Sequence, residues 1–229
     1  MRVVAFCGPK GCGKDAAASA LLGQNNNPEG SVYFERMPFA AGVKRICGDF
    51  FGWTMNQMDD GDFKETPRAL WEGGPVMAPR WPMMDIANWM RDKYGPEIHA
   101  QRLHRNLRAA NRLRNGLCFV NTDLRFPPEE LDMLKKVNAL VIYVFRPSAE
   151  DALKAKRASG DQMALNVSES HYDTLAEYCY DLENPNTKVV VNDKALYNLH
   201  NEVLGIVNRH FGHWKYWAQE DSEKNNGTR

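Results

Sequence analysis

Short, unbroken apolar runs alternate along this chain with longer amphipathic stretches. Arg2–Cys7 (RVVAFC), Leu117–Asn121 (LCFVN) and residues 139–145 (ALVIYVF) are too short for buried helices and rich in β-branched side chains. They read as strands buried on both faces of a parallel sheet. Residues 32–37 and 189–191 add two weaker strands. Between them, residues 16–22, 43–51, 82–93, 96–115, 127–137 and 195–211 carry helical patterns. In the 96–115 stretch, Ala100, Leu103, Leu107 and Ala110 recur at three- and four-residue steps, giving one apolar face that Gly116 brings to a stop. The 127–137 stretch places proline in its first turn, Glu129 and Glu130 early and Lys135 and Lys136 late, the order a helix dipole favours. Residues 54–82 mix glycine, proline and both charges without a clear period, and 24–30 is a polar turn cluster. Strands alternating with helices give an α/β fold with a largely parallel sheet.

The loop after the first strand carries the clearest chemistry. Gly8-Pro9-Lys10-Gly11-Cys12-Gly13-Lys14-Asp15-Ala16 matches the Walker A spacing, G-x-x-x-x-G-K, up to its final position. Glycines let backbone N–H groups approach phosphate oxygens, and the helix that follows adds its positive end. Lys14 supplies a point charge to β- and γ-phosphates. Gly8, Lys10, Gly11, Cys12, Gly13, Lys14, Asp15 and Ala16 are therefore the expected contacts to ATP. Asp15 stands where the motif has Ser or Thr. Two roles suit it: an oxygen ligand to Mg²⁺, directly or through water, or a plain first-turn acid favoured by the dipole.

Composition narrows the partners. The chain has 229 residues, 43% apolar and 25% charged, enough for one large domain or two small ones with a sizeable core. Lys plus Arg equals Asp plus Glu at 29 each, so the chain lacks the basic field of a general nucleic-acid binder. Arg105, Arg108 and Arg112 form one basic stripe, read first as a solvated helix face, with nucleic acid or a dimer partner as the alternative. Five scattered cysteines without a C-x-x-C pair fit neither a disulfide framework nor a zinc site. No run suits a signal peptide or a membrane span, so the expected home is the cytoplasm and no membrane partner is expected.

Beyond the loop, short motifs follow one another in a consistent order. They are Phe39-Ala40 with Lys44, Lys64-Glu65 with Pro79-Arg80, the run Trp89, Arg91 and Tyr94, Asp123-Leu124-Arg125-Phe126 with Glu129 or Glu130, Arg146-Pro147, and Asn192-Asp193 before Ala195-Leu196. With GKD in the loop, this series resembles the bacteriophage deoxynucleoside monophosphate kinases, relatives of phosphomevalonate and dephospho-coenzyme A kinases. The resemblance runs from about residue 1 to about 208. Two departures stand out: Ala16 replaces the family's Thr, and its "GT" in the central helical region is missing.

The resemblance implies a P-loop kinase fold, a mostly parallel sheet flanked by helices, in a single domain over residues 1–215. It implies a helical substrate-binding insertion at about 42–115, a short lid at about 147–165, and a polar tail at 216–229. The implied reaction is ATP- and Mg²⁺-dependent phosphorylation of a small nucleotide substrate, a deoxynucleoside monophosphate, and the implied assembly is a homodimer. Lys14, Arg125, Arg146 and Arg157 are the expected catalytic cations, with Lys154 beside them; Lys44, Arg80, Arg91, Asp123 and Arg125 face the acceptor; Asp15 and Asp123 are the metal candidates. Arg125 and Asp123 gain support from their place just past a strand's carboxyl end, where open α/β sheets bind ligands. The bland alternatives are surface charge for each arginine and a turn-forming role for Asp123. The rival functions are a P-loop kinase with another acceptor (phosphomevalonate, dephospho-coenzyme A or a modified base in DNA) and a nucleotide-binding protein that does not catalyse.

Overall fold

Strands Arg2–Cys7 (β1), Tyr33–Arg36 (β2), Leu117–Asn121 (β5), Leu140–Phe145 (β6) and Thr187–Val191 (β7) form one sheet in the order β2-β5-β1-β6-β7. Every pairing is parallel. The computed structural model describes residues 1–26, 33–113, 116–160, 171–181 and 183–213. The chain divides into two compact units, Met1–Pro38 with His104–Arg229, and Phe39–Leu103.

In the first unit, period-two alternation sorts the sheet's side chains onto two faces. Val4, Phe6, Cys118, Val120, Ile142, Val144 and Val190 share a core with Ala17 and Leu21 of helix Lys14–Leu22 (α1). Leu199, Val203 and Val207 of a helix near the end of the described chain, Leu196–Phe211, complete that layer. On the other face, Cys7 meets Cys179 of helix Tyr172–Tyr180, sulfur to sulfur at 3.9 Å. Val3, Ala5, Phe119 and Val141 on that face are buried as well. Cover on both sides explains why the three central strands are apolar runs rather than alternating ones, whereas the edge strands β2 and β7 keep exposed positions. This is the α/β architecture expected from the sequence, a parallel sheet flanked by helices.

The second unit is mainly helical. It holds Ala41–Phe51 (α2), Met55–Asp59 (α3), Gly61–Glu65 (α4), the antiparallel pair Arg68–Ala69 (β3) and Val76–Met77 (β4), and Arg80–Tyr94 (α5). Helix Ile98–Leu113 (α6) starts in it. Val43, Cys47, Trp53, Met58 and Leu70 form its core, with Phe51 stacked on Trp53 at 4.6 Å. Of the four tryptophans between 53 and 89, Trp53 is buried, whereas Trp71, Trp81 and Trp89 are exposed.

Helices Glu129–Lys136 (α7), Pro147–Ala158 (α8), Tyr172–Tyr180 (α9) and Leu196–Phe211 (α10) also belong to the first unit. Two features differ from the sequence expectation. Residues 54–82, without a readable period, hold α3 and α4, and each is started by a cap. Thr54 accepts from the Gln57 amide in a reciprocal capping box, and Asp60 accepts from the Phe63 amide. Helix α9 was not expected at all. Of the expected lid at about 147–165, residues 161–165 lie outside the described residues.

Candidate active site

The loop between β1 and α1 has the backbone its glycines allow. Gly8, Gly11 and Gly13 adopt φ of 131°, 85° and 100°, all in the region that disfavours side chains. A Cβ on Gly8 would lie 2.7 Å from the Val144 carbonyl oxygen and 2.8 Å from Cys12 Sγ, and one on Gly13 would collide with the Asn192 side chain. The loop is thus packed from behind by β6 and by the segment after β7. Lys14 is buried, and its ammonium donates to the carbonyls of Gly8 at 2.7 Å and Pro9 at 2.9 Å. Its charge therefore sits over the loop that the motif assigns to phosphate. Burial pushes the Cys12 thiol up, partly offset by Lys14. Cys12 stays protonated and acts as packing rather than as a nucleophile. Lys10 is exposed.

Asp15 lies in the first turn of α1 with its side chain 73% exposed. Its Oδ1 accepts from Arg36 Nη2 at 2.5 Å, and the same nitrogen donates to Thr122 Oγ1 at 3.0 Å. Arg36 ends β2, and the register Arg36↔Val120 brings Thr122 alongside it. Among the described residues, no group of three or more His, Cys, Asp or Glu side chains could hold a metal by itself. Mg²⁺ needs no such cage, because it retains water and phosphate oxygens and takes one or two carboxylates. An oxygen-only donor such as Asp15 fits that ion.

Asp123 and Arg125 follow β5 on a segment held by two polar side chains. The Asn121 amide group donates to Asp123 Oδ1 at 3.0 Å and to the Met37 carbonyl at 3.2 Å, and Asn121 Oδ1 accepts from the Asp123 amide. Glu130, 3% exposed on α7, accepts from the backbone amides of Arg125 at 2.8 Å and Phe126 at 3.1 Å. Of the two glutamates in the motif, Glu130 is the one that fixes the D-x-R segment. Glu130→Ala strands two amides that are otherwise satisfied, so a loss of about 2–3 kcal/mol in unfolding free energy is expected by denaturant titration. Glu130→Gln, which keeps an acceptor, is expected to lose about half as much.

An open cleft of about 490 Å³ adjoins the loop, lined among others by Gly13, Ala16, Arg146, Ser148, Asp193 and Lys194. Its walls come from the entry of α8 and the segment after β7. Asn192 ties the two sides: its amide donates to the Phe145 carbonyl at 2.7 Å, and its side chain donates to the Cys12 carbonyl at 2.8 Å. Arg146 reaches the Gly11 carbonyl at 3.4 Å. Arg157, further along α8, pairs with Asp173 of α9 at 3.0 Å, and Lys154 is exposed on the same helix. Sequence reading named Arg146 as a site residue and missed Arg36, Asn192 and Glu130. The latter two stood inside quoted motifs but carried no sign of what they would hold.

In the second unit, Lys44 of α2 is ion-paired with Asp59, and Arg80 of α5 with Glu65, where Nε donates at 2.7 Å. Arg91 is half-buried on α5.

No described protein family and no curated protein matches this chain. Among solved structures it is similar to shikimate kinase from Acinetobacter baumannii in complex with shikimate, at 12% identity and a TM-score of 0.44 over 92% of this chain and 94% of that one. It is also similar to a sugar kinase from Janibacter, at 13% identity and a TM-score of 0.34 over 91% and 94%. A gluconokinase from Sinorhizobium meliloti matches at 14% identity and a TM-score of 0.37 over 100% and 97%. No helix among the described residues is long and apolar enough to cross a membrane.

Proposed function

We propose that this chain is a P-loop phosphotransferase that moves the γ-phosphoryl group of ATP onto a deoxynucleoside monophosphate, forming the diphosphate. The observation that carries the reading is the loop itself: three left-handed glycines wrapped under the buried ammonium of Lys14. Phosphoryl transfer asks the protein mainly to align two phosphates and neutralise the charge between them. Lys14 and the loop amides bind the donor's β- and γ-phosphates. The cleft beside Arg146 and Asp193 accommodates the rest of the nucleotide. Arg125 and Arg146 offer cations at the strand ends, and Arg157 adds a third along α8. The acceptor oxygen is already ionised, so none of these residues has to remove a proton. Mg²⁺ would be held by phosphate oxygens with Asp15 as this chain's own oxygen donor, and it would supply charge neutralisation.

The choice of acceptor rests on the motif resemblance. A coupled ADP-release assay tests it over the four common deoxynucleoside monophosphates, a hydroxymethylated one, phosphomevalonate, dephospho-coenzyme A and duplex DNA. Turnover confined to deoxynucleoside monophosphates is the expected result. Turnover with another acceptor keeps the kinase and discards the substrate. ATP binding without ADP release from any of them leaves a nucleotide-binding protein.

A further inference from the structure

We propose that Arg36 is a positioning residue that makes an acidic phosphate loop workable: it neutralises Asp15 so that the carboxylate does not repel the polyphosphate beside it. The inference deepens the kinase reading and rests on it. A hydroxyl at this loop position is neutral and costs an incoming polyanion nothing. A carboxylate there brings a full negative charge next to three or four others. Three observations place the compensation in Arg36. Its guanidinium meets the Asp15 carboxylate at 2.5 Å. The same nitrogen is fixed by Thr122, a buried residue just past the end of β5. The parallel register of β2 on β5 aligns Arg36 with Val120, and the Met37 amide donates to the Val120 carbonyl at 2.8 Å, which sets the backbone from which the side chain springs.

The two residues are 21 apart in sequence and join the first turn of α1 to the end of β2. An isolated exposed pair of this kind contributes little to stability. Its value arises when a third charge arrives, because the unmasked carboxylate then acts on the polyphosphate through a partly desolvated loop. Bound Mg²⁺ would also offset that charge, so the effect of Arg36 is greatest without the ion.

A double-mutant cycle tests this, read as the affinity for inorganic tripolyphosphate and for ATP by isothermal titration, in EDTA and in Mg²⁺. Arg36→Met is expected to weaken metal-free binding about tenfold or more, and binding in Mg²⁺ about threefold. Arg36→Lys, which keeps the charge, is expected to stay within about threefold of wild type. Asp15→Ser restores the neutral loop, and Arg36→Met in that background is expected to cost less than about twofold. Thermal melts of all variants check that each is folded. Arg36→Met equal to wild type in EDTA overturns the inference. So does an undiminished loss in the Asp15→Ser background, which would mean that Arg36 acts on phosphate directly. Wild-type protein that binds neither polyphosphate overturns the kinase reading as well.

Discussion

Lys14→Met is expected to abolish measurable phosphoryl transfer, lowering kcat by on the order of 10³-fold or more, while the protein remains folded. The ammonium is buried and already held over the loop by the Gly8 and Pro9 carbonyls, so little reorganisation separates it from a bound polyphosphate. A fixed cation in a partly desolvated site acts far more strongly on developing charge than one in water. Methionine fills a similar volume and removes only the charge and its hydrogen bonds. Gly8 and Pro9 are buried, so the two carbonyls that methionine releases lose a partner, and a stability loss of about 1–3 kcal/mol accompanies the loss of rate. Arginine at the same position restores charge but not shape, and about a tenth of wild-type kcat or less is expected. Single-turnover measurements with saturating ATP read the effect. Near-normal transfer by Lys14→Met would remove Lys14 from the chemistry.

The second large effect concerns the fold that aims this lysine. Gly8→Ala combines φ of 131° with a Cβ set 2.7 Å from a backbone carbonyl and 2.8 Å from a buried sulfur. The carbonyl belongs to β6 and cannot move without breaking sheet pairing, so the loop must shift instead. About 3 kcal/mol or more of destabilisation is expected in urea unfolding, with loss of ATP binding in the molecules that still fold. Gly11→Ala is the control. Its φ of 85° is also left-handed, yet nothing lies within 4 Å of the added Cβ. Backbone strain alone then applies, about 1–2 kcal/mol. Equal losses in the two variants would mean that packing against β6 does not shape the loop.

How much of this was legible in the sequence depends on how local each cause is. The three central strands could be read because burial on both faces makes each a nearly continuous apolar run, while the edge strands β2 and β7, partly exposed, gave weaker signals. The loop could be read because its glycines answer to local backbone geometry within eight residues. Helices α3 and α4 are only a turn or so long, so no period could show, and the cap residues Thr54 and Asp60 were their only signals. Helix α9 was missed although Tyr172, Leu175 and Cys179 lie at helical spacing on its buried side. Arg36 offered least, a single basic residue at the end of a weak strand. Its meaning depends on a register with β5 that pairs residues more than eighty apart. Asn192 likewise matters through a bond to Cys12 across 180 residues. Such contacts belong to topology, and a linear pattern carries no trace of them.

The central claim is most directly tested by a crystal structure with a non-hydrolysable ATP analogue. The β- and γ-phosphates are expected inside the Gly8–Lys14 loop, with Lys14 Nζ moved off the Gly8 and Pro9 carbonyls to within about 3 Å of phosphate oxygen. A nucleotide bound elsewhere, with Lys14 still on those two carbonyls, would contradict the account.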